Sequence, residues 1–523
     1  VKENRLVIGL DSSTTACKAV VWDARGKAVA EARAAQPMLR PRPAWHEQPA
    51  DSWWSAAADA LRAAVRQVDP ARLAGLSIST QRETFTGADA CGSPLGNALL
   101  WMDERAREVM PGLRAQAGAQ AVHAATGKPL SANLTLSKLF WLRAFQPDLL
   151  DRFERVLDVH AFLALRLTGR CATSWACADP TGLFNIHKNA WDADLVGMTG
   201  LQVEQFPEAL PVGALVGEVT AEAARATGLP EGLPVFAGAG DGQAAGFGLG
   251  VCKPGAAYLA LGTSIITGAY SDTCLVDPAF RTMYGALPGS YALEAVLLGG
   301  AYTVSWFFEK FAAQEALAAP ALSAAAPPLT AQKIEAIESA AAHLPPGAQG
   351  LTLVPYWNSV MNPYWDASAS GIVVGWRGVH GPEHLYRAIL EGTALELRLH
   401  IEGIEAALGR PVERLRAAGG GSQSPLWRRI IADVTGRPVE RADTTEASAL
   451  GAGMLAALGA GLFPDPLAAV AAMARPAVQV VQPNPGAQAF YTRLYEDVYR
   501  TLYPSVRTAL ARLADLTDAA ESI

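Results

Sequence analysis

Leu6-Val7-Ile8-Gly9-Leu10, Asp11-Ser12-Ser13-Thr14-Thr15 and Ala16-Cys17-Lys18-Ala19-Val20-Val21-Trp22 follow one another near the start of the chain. They read as a buried strand, a turn of small polar residues and a second strand. A further turn at Asp23-Ala24-Arg25-Gly26-Lys27 leads into residues 28–32, which can pair as a third strand. The pattern returns later. Val235-Phe236-Ala237 enters Gly238-Ala239-Gly240-Asp241-Gly242, and residues 256–261 run through Gly262-Thr263-Ser264 and out along 265–269. Two similar strand–turn–strand openings predict an internal structural duplication.

Between and beyond these openings, strands alternate with helices. Residues 52–68 have helical spacing, with Trp54, Ala58, Leu61 and Val65 on one side. Residues 73–79 read as a strand ending at Gln81-Arg82-Glu83-Thr84, and 98–101 as a short strand ending at Met102-Asp103-Glu104-Arg105. Residues 151–168 look helical around Phe153, Leu157 and Leu163, and 384–408 strongly so. Leu415-Arg416-Ala417-Ala418 leads into Gly419-Gly420-Gly421-Ser422, after which Ser424 can cap a helix that Pro425 begins and Gly436 ends. Such alternation means an α/β architecture. The Ala- and Pro-rich stretch 312–346 predicts a peripheral helix pair or a mobile insertion.

The chain has 523 residues, 50% apolar and 18% charged, with a formal net charge of −7. That length suits two to four domains of roughly 150 residues, and the composition excludes a disordered chain. A weakly acidic balance argues against a nucleic-acid partner but leaves room for a small anion held by backbone dipoles. The uncharged windows 254–271 and 447–463 are interrupted by Gly, Ser and Thr or are Ala- and Gly-rich. They predict a hairpin and a buried helix, not membrane spans. The opening VKENRLVIGL has no export segment, and six scattered cysteines without a C-x-x-C suit a reducing cytoplasm.

Three Gly/Ser/Thr turns adjoin buried strands, at residues 12–15, 262–264 and 419–422. Turns of this kind let N–H groups and hydroxyls converge on phosphate oxygens. The phosphate-loop, dinucleotide and protein-kinase motifs are missing. Asp241, flanked by Gly240 and Gly242, suits a general base or a simple turn residue. Asp11 can hold Mg²⁺, directly or through water, or initiate its own turn. His380-Gly381-Pro382-Glu383-His384 matches H-x-x-E-H, but Pro382 should begin the helix and leave His380 off the face that zinc ligation needs.

In this order the motifs resemble the FGGY carbohydrate kinases, over nearly the whole chain. Asp11-Ser12-Ser13-Thr14-Thr15-Ala16-Cys17-Lys18 is similar to the first phosphate motif, with Ser13 where the family usually has Gly. Ala44-Trp45-His46-Glu47-Gln48-Pro49 followed by Trp53-Trp54 is similar to the family's W-x-E-Q-x-P…WW segment, and Trp101-Met102-Asp103-Glu104-Arg105-Ala106 resembles W-x-D-x-R. Ala239-Gly240-Asp241-Gly242 resembles the catalytic aspartate motif and Leu261-Gly262-Thr263-Ser264 the second phosphate motif. Gly419-Gly420-Gly421-Ser422-Gln423-Ser424 resembles the adenosine motif, and Glu446-Ala447-Ser448-Ala449-Leu450-Gly451-Ala452 the small-residue helix behind it.

The resemblance implies two actin-like (ASKHA, ribonuclease H-like) domains, 1–253 and 254–523, with an interdomain cleft. It implies ATP on the C-terminal side, touched by Ser13, Thr14, Thr15, Lys18, Gly262, Thr263, Ser264, Gly420, Gly421 and Ser424. Asp241 would be the base and Asp11 the Mg²⁺ ligand. A sugar or polyol would meet Gln81, Arg82, Glu83, Trp101, Asp103 and Asp241. The whole is most similar to xylulokinases, which usually show Gln-Met-His after the strand. Gln81-Arg82-Glu83-Thr84 instead resembles glycerol kinases, where Arg and Glu bind glycerol hydroxyls. The expectation is a cytoplasmic ketopentose kinase, xylulose first, with a polyol kinase as rival and a homodimer allowed. An actin- or chaperone-like ATPase without an acceptor, and an inactive sugar-binding protein, are the readings from other classes.

Overall fold

The computed structural model describes residues 4–312, 331–357 and 359–521. Two mixed sheets organise it. The N-terminal sheet holds β1 (Leu6–Ser12), β2 (Ala16–Asp23), β3 (Ala28–Ala35), β4 (Leu73–Thr80), β5 (Leu215–Glu218) and β6 (Pro234–Gly240), in the order β5-β6-β4-β1-β2-β3. The C-terminal sheet holds β7 (Ala256–Leu261), β8 (Ile265–Ser271), β9 (Arg281–Tyr284), β10 (Tyr291–Leu297), β11 (Arg414–Ala418), β12 (Val439–Arg441) and β13 (Gln479–Val481), in the order β9-β10-β8-β7-β11-β12-β13.

The duplication is visible in the ladders. β3-β2-β1-β4-β6 pair antiparallel, antiparallel, parallel and parallel. β10-β8-β7-β11-β12 repeat that sequence of directions. β1 and β4 are buried along their whole length, as apolar runs covered on both faces should be. On one side of the first sheet lies α1 (Asp51–Val65), whose Trp53, Ala57, Leu61 and Ala64 are buried.

Helices α2 (Asp241–Gly248), α3 (Pro382–Leu408), α4 (Pro425–Thr435) and α5 (Ala447–Gly459) complete the frame. α5 crosses from the C-terminal half to pack on β1, β4 and α2. Glycines set its distance. A Cβ on Gly9 would lie 1.8 Å from the Ala449 carbonyl oxygen, one on Gly451 1.9 Å from that of Ala244, and one on Gly248 2.2 Å from that of Ala447. Trp22 Nε1 donates to the Ala449 carbonyl at 3.1 Å. Ala447–Gly459 of the uncharged stretch 447–463 is therefore a largely buried helix, as its small residues predict, and among the described residues no helix is long and apolar enough to cross a membrane.

Two expectations change. Residues 151–168 are not one helix: Arg155–Asp158 pairs antiparallel with Phe85–Ala88, and the helix starts at Val159 with the Asp158 carboxylate accepting from Ala161 N–H. The neighbouring strand outweighs the helical spacing. Within 312–346, a helix spans Ala331–His343; residues 313–330 lie outside the described residues. The C-terminal helices dock through a tyrosine ladder. Tyr491, Tyr495, Tyr499 and Tyr503 are buried, and their hydroxyls donate to Glu391, Glu402, Glu396 and Asp366 at 2.7, 2.8, 2.6 and 2.7 Å.

Just ahead of Asp241, β6 bulges between Phe236 and Ala239, so the ladder loses register there. His160, fully buried, accepts the Gly238 N–H on Nε2 at 3.1 Å, which satisfies a donor that burial would otherwise strand. Burial lowers its pKa from 6.5 to about 4. The unfolded chain thus binds a proton that the native state refuses, and stability falls as pH drops through that interval, by about 3 kcal/mol when complete. His160→Gln, whose amide oxygen can accept the same N–H, should flatten this part of the acid slope in denaturant melts.

Candidate active site

β1 and β6 flank β4 and run parallel to it, so their C-terminal ends open at one edge. There Asp11 ends β1 and Asp241 begins α2. The Asp11 carboxylate is buried, accepts from Ser79 Oγ at 2.9 Å, and has its pKa raised to about 7 by burial and then by the nearby Asp241 charge. Asp241 lies deep, yet its side chain is 38% exposed. One oxygen accepts from Gly242 N–H at 2.8 Å and sits 3.2 Å from Arg82 Nε. Burial raises its pKa, against the opposing pull of Arg82.

Arg82 and Glu83 stand beside it. Arg82 Nη1 reaches Glu294 at 2.6 Å, and Arg281 Nη1 reaches Glu83 at 2.6 Å. Arg281 also approaches Glu294 at 3.4 Å, and Tyr258 donates to Glu294. Glu83 has a φ of +53°, uncommon for a side chain of its size. Its carbonyl is held by Lys138 Nζ at 2.8 Å and Thr135 Oγ1 at 3.2 Å. Lys138 also donates to the Leu100 carbonyl at 2.7 Å, so one buried ammonium ties the Arg82–Glu83 turn to the Trp101 turn. Burial lowers its pKa to about 7.

The sequence reading passed over Lys138, Tyr258, Arg281 and Glu294. The usable signal was a single charge inside an apolar strand, Tyr291-Ala292-Leu293-Glu294-Ala295-Val296-Leu297, because buried charges need partners.

Three expected ligand contacts are engaged within the protein. Asp103 is fully buried, and its two oxygens accept from His46 N–H and from Arg105. That carboxylate braces the Trp101 loop. Gln81 is engaged at both ends, donating to Gln48 Oε1 at 3.1 Å and accepting from Thr14 and Thr84. The Thr14 hydroxyl donates to Gln81 and accepts from Trp101 Nε1 at 3.0 Å, so it joins the Gln81 and Trp101 turns.

The remaining turns differ in how far their groups are engaged. Ser13 N–H and Oγ both bond the Ala16 carbonyl, at 3.0 and 2.9 Å. Ser13 avoids positive φ, so Ser replaces Gly there without strain. Thr15 and Thr263 are exposed at the tips of matching hairpins, and Gly262 and Ser264 flank Thr263. Lys18 is held by Glu446 at 2.7 Å, a bond between β2 and the start of α5. Gly419 adopts φ +89° against Leu261; the turn Gly420–Gln423 follows, and Ser424 caps α4 by accepting Trp427 N–H at 3.1 Å. A Cβ on Gly420 would meet nothing within 4 Å, whereas one on Gly421 would strike Trp427. His380 lies outside α3, which begins at Pro382, and no metal-holding cluster of three His, Cys, Asp or Glu occurs among the described residues.

Family models for the N-terminal and C-terminal domains of the FGGY family of carbohydrate kinases match residues 6–248 and 257–460. The chain belongs to the FGGY family of carbohydrate kinases. It is 26% identical to a xylulose kinase of Bacillus subtilis over 99% of both chains. It is 32% identical to a glycerol kinase of Alkalilimnicola ehrlichii, over 87% of this chain and 90% of that one. A solved xylulose kinase of Rhodospirillum rubrum superposes with a TM-score of 0.87 at 29% identity, covering 97% of this chain and 100% of the other. The two-domain α/β fold is thus that of the FGGY kinases, and sugar phosphorylation is the family's activity.

Because the Gly420 side is open, Gly420→Val should leave the melting temperature unchanged while weakening ADP binding in calorimetry; equal ADP affinity would make the turn a mere connection. Asp103→Ala should cost about 3–5 kcal/mol of stability, as breaking a buried pair does. It should lower kcat/KM for long and short acceptors by the same factor, measured on a ketopentose and on glycerol.

Proposed function

We propose that the protein transfers the γ-phosphoryl group of ATP to a terminal hydroxyl of a small ketose or polyol, with D-xylulose as the leading acceptor. The observation that carries this reading is Asp241: an open carboxylate at the start of α2, beside a buried Arg82–Glu83 pair and close enough to Asp11 to raise its pKa. An arginine fork and a carboxylate suit neighbouring hydroxyls. The acceptor hydroxyl would give its proton to Asp241 as its oxygen bonds to the γ-phosphorus and the β–γ bridging oxygen departs with ADP.

Asp11 fits a divalent cation: its carboxylate is buried beside a second carboxylate, while the nearby cations Lys18 and Arg82 are already paired with Glu446 and Glu294. Mg²⁺ held there, directly or through water, would neutralise charge on the phosphates. The hairpin turns with Thr15, Thr263 and Ser264 would meet phosphate, and Gly420 and Gly421 the adenosine. The division between the two units falls in this reading at 253/254, within the connection 249–255 between α2 and β7.

The full-length likeness to xylulose kinases supports xylulose. The Arg82–Glu83 pair and the likeness to glycerol kinases favour glycerol as second reading. Asp241→Asn keeps the size and removes the basicity, so turnover should fall ~10²–10⁴-fold with ATP binding retained; turnover within a few-fold of wild type would reject the assigned base. Parallel kcat/KM values for D-xylulose, D-ribulose and glycerol decide the acceptor, and preference for glycerol would promote the polyol kinase.

A further inference from the structure

Arg82 and Glu83 belong to the N-terminal half, but neither is held by that half alone. Glu294 on β10 takes Arg82, and Arg281 on β9 takes Glu83. Side-chain exposures of 5%, 0%, 9% and 6% for Arg82, Glu294, Arg281 and Glu83 put all four out of bulk water. In such a site charge-assisted bonds fix orientation firmly. Behind them the Tyr258 ring is wedged between Gly246 of α2 and Gly268 of β8, where a Cβ would fall 2.6 and 2.1 Å from ring carbons. Its hydroxyl fixes the Glu294 carboxylate.

We propose that Arg281 and Glu294 are positioning residues for phosphoryl transfer: crossed ion pairs from the C-terminal sheet that hold Arg82 and Glu83 in the orientation in which they meet the acceptor. The inference rests on the kinase reading above. Two details support it. Arg82 makes its short contact, 2.6 Å, to Glu294, and only an edge contact, 3.2 Å, to Asp241. Glu294 thereby keeps Arg82 from closing on the base. Arg281 Nε is buried with no hydrogen-bond partner among the described residues, leaving this guanidinium one donor for an acceptor oxygen. Acceptor binding and the meeting of the two halves become one event, since the same four side chains serve both.

The test is steady-state kinetics of the full chain on D-xylulose and glycerol, read by ADP release, together with thermal melts. Arg281→Met should lower acceptor kcat/KM about 10- to 100-fold, the loss of one charge-assisted bond, with the KM for ATP within about two-fold. Arg281→Lys, which can satisfy one carboxylate and not both, should recover part of the loss and folds if the Met variant does not. In a Glu83→Gln background, Arg281→Met should cost no more than about three-fold further, because the two act as a unit. Glu294→Gln removes the charge that holds Arg82, so acceptor kcat/KM should fall about 10- to 100-fold with the KM for ATP within about two-fold. A lowered melting temperature with acceptor kcat/KM within about two-fold for both Arg281→Lys and Glu294→Gln would reduce the pair to structural ballast and overturn the inference. A wild-type protein inactive on every ketose and polyol would overturn the kinase reading, and this inference with it.

Discussion

The contact on which the site depends is between backbones. α5 lies on β1 and across α2 at a separation that admits no side chain at Gly9, Gly248 or Gly451. Through it, Ser448 Oγ donates to the Asp241 carbonyl at 3.1 Å, and Glu446 holds Lys18. A helix supplied by one half thus sets the height of the first strand and of the first turn of α2 in the other. Asp11 and Asp241 stand at the two ends of that arrangement. Because packed interiors are nearly incompressible, a shift of α5 must carry both carboxylates with it.

Burial does two different jobs at this edge. Around Arg82, Glu83, Arg281 and Glu294 it comes with opposite charges at short range, so the groups stay paired and orientated. Around Asp11 and Asp241 it comes with like charge and few donors, so proton affinity rises. The same low-dielectric surroundings therefore build a rigid set of ion pairs on one side and two carboxylates of raised proton affinity on the other. What separates the outcomes is the count of facing charges.

Much of the frame was legible in the sequence. Alternating runs of apolar and small polar residues placed β1, β2, β7 and β8 and their turns, and Ser424-Pro425 marked the start of α4. These signals are local, carried by residues a few positions apart. The errors came where distant chain decides. Arg155–Asp158 looked helical until Phe85–Ala88 offered a ladder. Asp103, Gln81 and Thr14 entered as ligand contacts through the family resemblance, but a motif does not say which neighbours, such as Arg105, Gln48 and Trp101, fold back to bond them. Lys138, Arg281 and Glu294 were invisible as site residues because each meets its partner more than fifty positions away.

The tyrosine ladder lies beyond the part of the chain that the family models match. Its phenols supply hydrogen-bond donors, without adding charge, to carboxylates sunk in the long helix α3 and to Asp366. That makes the last helices interior components in chemical terms, although they come last in order. Cutting the chain before residue 485 would be an operation on the core: the buried Glu391 would lose its Tyr491 hydroxyl and the buried Glu396 its Tyr499 hydroxyl.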